Sequence, residues 1–144
     1  MPIKKAYIPD QLRAHIAEEA RNRCGYCLRS EELMGMPMTV DHILPESVGG
    51  RTEKDNLWLA CTRCNQYKGT QTEAFDTLTQ KTVPLFQPRL QIWAEHFEWS
   101  QDGTEIVGKT PIGRATVKAL RLNNPKIVIT RRLWVSAGWW PPQD

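Results

Sequence analysis

Four cysteines carry the spacing in this chain that most clearly indicates chemistry. They are the only cysteines among the 144 residues, and they form two C-x-x-C pairs, Cys24/Cys27 and Cys61/Cys64. Two residues between a pair of thiolates allow both sulfurs to face one ion, and two such pairs complete a tetrahedral site that is closed to water. The pattern therefore predicts one structural zinc ion, because disulfides are rare inside cells. Iron in the same cage and two redox dithiols are the alternatives.

A second set of polar residues lies between and beside the two cysteine pairs. Residues 28–60 separate the pairs, which is more than the ~15–20 residues found in an ordinary zinc ribbon. This insert contains Asp41-His42 and Asn56, and Asn65 directly follows the last cysteine. Hydrolysis of a phosphodiester requires a base for water and charge stabilisation at the leaving oxygen. His42 suits the first task, while Asp41 and Asn65 offer oxygen ligands to a hard divalent ion for the second.

The elements that must position these residues are indicated by turn and cap signals. Residues 38–44 and 57–60 suit two short strands, with a turn-rich loop between them. The polar stretch 65–75 after the last cysteine is interpreted as a short helix, which gives the order strand, loop, strand, helix. Upstream, Asp10 is predicted to cap a helix over 11–22, which ends just before the first cysteine pair.

The rest of the chain is expected to pack around this core. Residues 73–92 are interrupted by prolines and are predicted to wrap it, and residues 96–108 suggest a hairpin that turns at Asp102-Gly103. Two helices are then predicted to run to about Leu122 and toward Trp134. Each begins with a cap residue followed by proline, Thr110-Pro111 in one and Asn124-Pro125 in the other.

Three segments of the sequence resemble the HNH endonuclease family in its zinc-stapled form. They are RCGYC, VDHILPESVGG and NLWLACTRCNQYKG, which together span roughly Arg23 to Gly69. The resemblance implies that His42 stands at the general base and Asp41 at a metal ligand. Asn56 stands at the residue that braces the loop and helps orient the histidine. Asn65 stands at a last position where many members have histidine, and its oxygen favours Mg²⁺ or Mn²⁺.

The resemblance implies an α+β fold with a ββα-metal core (the HNH or His-Me finger arrangement). This core would lie on a Cys₄ zinc knuckle and carry a C-terminal hairpin and two-helix extension. One HNH nuclease domain is expected over residues 1–144, with its core at about 23–72 and its extension at about 73–144. The implied activity is that of a metal-dependent endonuclease that hydrolyses DNA phosphodiester bonds and leaves 5′-phosphate and 3′-hydroxyl ends.

Basic residues give the candidate contacts to DNA, and they are concentrated late in the chain. Residues 100–144 carry seven Lys/Arg against three Asp/Glu, although the whole chain has a net charge of only +3. On charge alone, a solvated helix face is the favoured interpretation, and contact with DNA phosphates is the functional alternative. The candidates are Arg63, Lys68, Arg114, Lys118 and Arg121, with Lys126, Arg131 and Arg132 as further members of the same surface. Of the six tryptophans, Trp58, Trp93, Trp99 and Trp134 are expected in the core, and Trp139 and Trp140 are expected to pack against the domain.

Composition and hydropathy limit the alternatives. Apolar residues make up 40% of the chain and charged residues 24%, as in an ordinary globular protein. No signal peptide and no membrane-spanning segment is recognisable, so a cytoplasmic location without membrane partners is expected. Two other function classes stay open: a non-catalytic zinc-ribbon module that binds nucleic acid, and an accessory module that depends on a partner. The sequence leaves monomer and homodimer equally possible.

Overall fold

The computed structural model describes residues 7–143, which form a mixed α+β fold of small sheets and short helices. The helices are α1 (Asp10–Glu19), α2 (Glu31–Met34), α3 (Thr62–Lys68), α4 (Trp93–His96), α5 (Pro111–Ala119) and α6 (Pro125–Ser136). The strands are β1 (Thr39–His42), β2 (Leu57–Ala60), β3 (Glu73–Asp76), β4 (Lys81–Pro84), β5 (Phe97–Trp99) and β6 (Ile106–Gly108). Across the described part of the chain, consecutive strands pair into three antiparallel two-stranded sheets.

The first sheet and the helix after it form the predicted strand–loop–strand–helix unit. β1 pairs with β2 in a register that places Asp41 opposite Trp58 and His42 opposite Leu57. Leu57 and Leu59 of β2 are fully buried in the hydrophobic core, and Val40 of β1 is almost fully buried. α3 then begins directly at the second cysteine pair, where the Cys61 sulfur accepts a hydrogen bond from the Cys64 backbone amide at 3.4 Å. This ββα arrangement confirms the expected fold of the core.

Several predicted boundaries are wrong, among them the end of α1, which lies at Glu19 rather than at residue 22. The helix that was expected to extend through residue 75 ends at Lys68, where Gly69 turns the chain with a φ of 53°. Residues 73–76 instead form β3, which pairs with β4, so the segment 73–92 begins with a hairpin. α1 begins at Asp10 rather than after it, and Pro9 occupies the N-cap position.

The C-terminal extension follows its cap signals. The side chain of Thr110 accepts a hydrogen bond from the Gly113 amide at the start of α5, and Asn124 accepts one from the Lys126 amide at the start of α6. β5 and β6 form the predicted hairpin, with Asp102 accepting hydrogen bonds from Thr104 in the turn. No helix of the described residues is long and apolar enough to cross a membrane.

One hydrophobic cluster joins the two halves of the chain. Its buried members include Ile16 of α1 and Leu59 of β2 from the first half, with Phe97 of β5 and Leu120 from the second. A row of aromatic rings extends this packing toward the C-terminus, with neighbouring centroids 4.9–5.2 Å apart. The row is Phe86, Phe97, Trp93, Trp99, Trp140 and Trp134. Trp140 is thus buried as expected, whereas Trp139 is 65% exposed and does not pack as predicted.

Candidate active site

The four cysteines converge beneath the ββα unit. Their sulfur atoms all lie within 4.8 Å of one another, all four side chains are buried, and the Cys27 and Cys61 sulfurs are 3.8 Å apart. A tetrahedral zinc ion with Zn–S bonds of about 2.3 Å places its sulfurs roughly 3.8 Å apart. The cluster therefore fits the predicted zinc ion. The first cysteine pair is also joined to the sheet by a backbone hydrogen bond, which the Gly25 amide donates to the Leu59 carbonyl at 2.9 Å.

The cysteine thiols and the arginines beside them influence one another electrostatically. Burial raises the pKa of the Cys24 thiol well above its usual range, while hydrogen bonds with Cys24 and Cys27 lower that of Cys61. Burial alone would lower the pKa of the Arg29 guanidinium, but the charges of Cys27 and Cys61 raise it overall. Arg131 lines the same small cavity as three of the cysteines. A zinc ion with four thiolates carries a net charge of −2, which these two arginines are placed to offset.

Asn56 closes the loop between β1 and β2. Its side-chain oxygen accepts from the Leu44 amide at 2.8 Å, and its side-chain nitrogen donates to the carbonyls of Leu44 and Arg51 at 3.0 and 2.9 Å. Its backbone carbonyl accepts from the Ile43 amide at 2.8 Å, directly after His42. Asn56 therefore holds both ends of the loop against each other, as a brace requires, and acts on His42 through the backbone.

His42 is oriented by side chains of that loop. Its Nε2 atom lies 2.9 Å from the Thr52 hydroxyl and 3.5 Å from a carboxylate oxygen of Glu46. Both partners can accept a proton from an imidazole N–H, so this arrangement favours the tautomer that carries its proton on Nε2. The Nδ1 atom then keeps its lone pair. Sequence reasoning did not identify Thr52 or Glu46, although Glu46 lies within the segment VDHILPESVGG.

Asp41 lies in a buried polar cluster of three side chains. Its carboxylate accepts from the Tyr26 hydroxyl at 3.3 Å and is 3.2 Å from the Lys68 ammonium. Lys68 also donates to the His42 carbonyl at 3.0 Å. Burial raises the pKa of the Asp41 carboxyl above its usual value, against the opposing effect of Lys68. Burial also raises the pKa of Tyr26, and the Asp41 charge adds to this shift. Tyr26 lies between the two cysteines of the first C-x-x-C pair. This position is the sequence signal that could have identified it as a residue near the site.

One open cleft collects the predicted catalytic residues. It has a volume of about 580 Å³, and its lining includes Asp41, His42, Glu46 and Asn65. Asp41 and His42 are neighbours on β1, yet both reach the cleft because they lie at the end of the strand. Asn65 reaches it from α3, one residue after Cys64. The arrangement offers a carboxylate, a carboxamide and an imidazole to one space, which suits a hard divalent ion and a bound phosphate.

The predicted DNA contacts separate into three groups. Lys68 is only 3% exposed and pairs with Asp41, so its prediction as a phosphate contact is wrong. The same holds for Arg131, which is 1% exposed. Arg114 forms a bidentate salt bridge with Asp76, with both nitrogen–oxygen distances at 3.0 Å. Its guanidinium therefore serves the fold rather than a DNA contact. This guanidinium holds the pKa of the Asp76 carboxyl well below its usual range.

Two of the remaining predicted contacts, Arg63 and Arg121, meet at Tyr67 near the end of α3. The guanidinium groups of Arg63 and Arg121 both stack on the Tyr67 ring, at 5.4 and 5.0 Å from its centroid. Arg63 also donates to the Arg121 carbonyl at 3.4 Å. Arg121 and Lys118 are exposed, as are Lys126 and Arg132 on α6. Arg63 and Arg121 therefore form a basic pair on Tyr67, while Arg114 and Arg131 do not belong to an exposed stripe.

Comparison with known proteins agrees with this geometry. Residues 24–71 match the model of the HNH endonuclease family, which is one third of the chain. The matched segment begins at Cys24, ends just beyond α3, and contains both cysteine pairs and every residue of the cleft that the sequence singled out. No curated protein and no solved structure matches the chain. The family match together with the cysteine cluster indicates a zinc-type HNH fold and a nuclease-type function.

Proposed function

We propose that this protein is a metal-dependent endonuclease that hydrolyses phosphodiester bonds of DNA, with His42 as its general base. The observation that carries the proposal is the meeting of Asp41, His42 and Asn65 in one cleft, within a segment that matches the HNH endonuclease family. Neither feature alone would suffice, because a family match does not place side chains and a cleft does not name a reaction.

The ions follow from the donor sets. Among the described residues, one group of metal-ligating side chains lies close enough together to hold an ion by itself. This group consists of the four cysteines. Zinc at that cluster would be structural, since four protein ligands leave no open position. In the cleft, Asp41 and Asn65 offer oxygen ligands, which suits Mg²⁺ or Mn²⁺, because such ions keep several waters and bind substrate phosphates. When bound there, the ion would stabilise negative charge on the phosphate and on the leaving oxygen.

The side chains of the protein supply the proton chemistry. Thr52 and Glu46 hold the imidazole through Nε2, and the Nδ1 lone pair of His42 is then available to accept a proton from water. Asn56 keeps the loop that carries these partners closed against the sheet. Arg63, Lys118 and Arg121 would contact the DNA backbone. One such site cuts one strand in each event, so double-strand cleavage would require two copies or two visits.

The test is nicking of supercoiled plasmid by the purified, zinc-loaded protein with Mg²⁺ or Mn²⁺. We expect nicking that EDTA abolishes and that His42→Ala reduces by roughly 10²-fold or more, since a general base contributes about that much. His15→Ala is the matched control, because His15 is an exposed histidine on α1. An intact plasmid in every metal, from protein with full zinc content, would refute the proposal. Cleavage or DNA binding only with a partner present would then favour the accessory and binding-module functions.

A further inference from the structure

Lys68 is a buried charge that binds both chemically important residues of β1. Its side chain is 3% exposed at the last position of α3. The ammonium lies 3.2 and 3.4 Å from the two Asp41 carboxylate oxygens and donates to the His42 carbonyl at 3.0 Å. An ammonium this deeply buried persists only with a charged partner and satisfied donors. The three contacts supply both, and they tie α3 to the end of β1.

The Asp41 carboxylate retains capacity for a further partner. A carboxylate offers about four lone-pair sites, and the Tyr26 hydroxyl and the Lys68 ammonium occupy at most three of them. Asp41 is buried but lines the cleft, which is the side from which an ion would approach. Any cation that binds there shares the carboxylate with Lys68 and is repelled by its positive charge.

We propose that Lys68 acts as a resident cation that sets how tightly the cleft binds a divalent ion. Without the ion, Lys68 neutralises Asp41 and keeps β1 and α3 assembled. When the ion arrives, Lys68 competes with it for the same carboxylate and weakens its binding. The side chains of the ion site are therefore assembled before the ion binds, and the affinity of the site for the ion is low. This inference rests on the proposed function only in that Asp41 is taken as the ligand of the ion.

The test measures Mn²⁺ binding to the zinc-loaded full chain by electron paramagnetic resonance of free Mn²⁺. Lys68→Met removes the charge and keeps most of the length of the side chain. We expect it to bind Mn²⁺ roughly tenfold more tightly, because repulsion between a unit charge and a nearby divalent ion reaches that size even when screened by water. Lys81→Met, at an exposed lysine of β4, should match the wild type. Tyr26→Phe removes an uncharged donor to Asp41 and should change the affinity less than Lys68→Met does.

A purely structural lysine would give the opposite result. If Lys68 only supported the fold, its loss would loosen Asp41 and leave Mn²⁺ binding unchanged or weaker, which would overturn the inference. If zinc-loaded Lys68→Met does not fold in buffer without Mn²⁺, added Mn²⁺ is expected to restore its circular dichroism spectrum by replacing the missing positive charge. Failure of Mn²⁺ to restore it would also overturn the inference, as would the absence of Mn²⁺ binding in both proteins.

The relative Mn²⁺ affinities of the variants are measured without DNA cleavage, so each of the two proposals can fail while the other holds. An intact plasmid with tighter Mn²⁺ binding in Lys68→Met would refute the nuclease and retain the resident cation. Metal-dependent nicking with unchanged Mn²⁺ binding would do the reverse. Asp41→Asn supplies the internal check, because it should abolish the tighter binding of Lys68→Met when the two substitutions are combined.

Discussion

Arg131 offers the sharpest test of how the C-terminal helix is joined to the zinc cluster. It is the largest fully buried side chain, at 1% exposed, although the sequence presented it as one of several surface cations on α6. Its guanidinium donates to the carbonyls of Thr104 and Leu122 at 3.0 and 2.7 Å, and to the Asn123 side chain at 3.2 Å. Burial lowers its pKa overall, although the charges of Cys27 and Cys64 act in the opposite direction. The cysteine cluster, whose small cavity Arg131 also lines, is therefore a nearby counter-charge.

Arg131→Met is expected to destabilise the zinc-loaded protein by about 3 kcal/mol. The change leaves the carbonyls of Thr104 and Leu122 without this donor, at a cost of roughly 1–3 kcal/mol each, whereas the Asn123 oxygen keeps its hydrogen bond from the Ile106 amide. Part of this cost is offset because the guanidinium no longer has to be desolvated. The thioether still fills most of the space beside Trp99. A loss of this size is a large share of the ~5–15 kcal/mol that stabilises a typical domain.

Urea unfolding followed by tryptophan fluorescence measures the change directly. The neighbouring Arg132→Met is the matched control, since Arg132 is exposed on the same helix and its loss should cost less than about 0.5 kcal/mol. Zinc affinity, measured by competition with a chelator, should also fall in Arg131→Met but not in the control. Equal unfolding free energies for the two variants would show that the buried guanidinium contributes no net stability, and would refute the proposed link to the cluster.

Two further predictions concern the loop beside the cleft and the β3–β4 hairpin. Thr52→Val removes the hydroxyl at Nε2 of His42 and should lower plasmid nicking about tenfold, whereas Thr52→Ser should retain it; equal rates for the two would exclude an orienting role. Arg114 depresses the pKa of Asp76, so the stability from this pair is fully present above the unfolded carboxyl pKa of roughly 4 and is lost as the pH falls below it. The gap in unfolding free energy between wild type and Arg114→Met should therefore narrow from pH 7 to pH 3, and a constant gap would contradict the pairing.

The sequence was sufficient where local chemistry decides the structure. β2 occupies the predicted residues 57–60, and α5 and α6 begin at Pro111 and Pro125 because each follows a capping side chain. Cap, turn and metal-knuckle signals depend on residues a few positions apart, which a sequence displays directly. The cysteine cluster was predictable for this reason, whereas the α+β fold with its ββα-metal core was expected from the resemblance to the HNH family.

The errors occurred where partners come from distant parts of the chain. β3 exists because it pairs with β4, and nothing within residues 73–76 distinguishes it from a polar helix. Lys68 and Arg131 looked like solvated cations, and only the fold shows that each is buried among acceptors. A charge in a sequence does not reveal its partner, so the predicted DNA surface included residues that instead stabilise the interior.

The spacing between structural and catalytic residues explains why a zinc cluster would support this cleft. Tyr26, which donates to Asp41, lies between Cys24 and Cys27, and Asn65 directly follows Cys64. Because each is bonded to a residue of the cluster, a displaced sulfur would carry along a partner of Asp41 on one side and the carboxamide of the cleft on the other. Zinc at the cluster would thus set the relative positions of the two segments as well as their stability. Catalytic groups need placement to within about 0.5 Å, and a rigid tetrahedral ion provides it where a core this small would not.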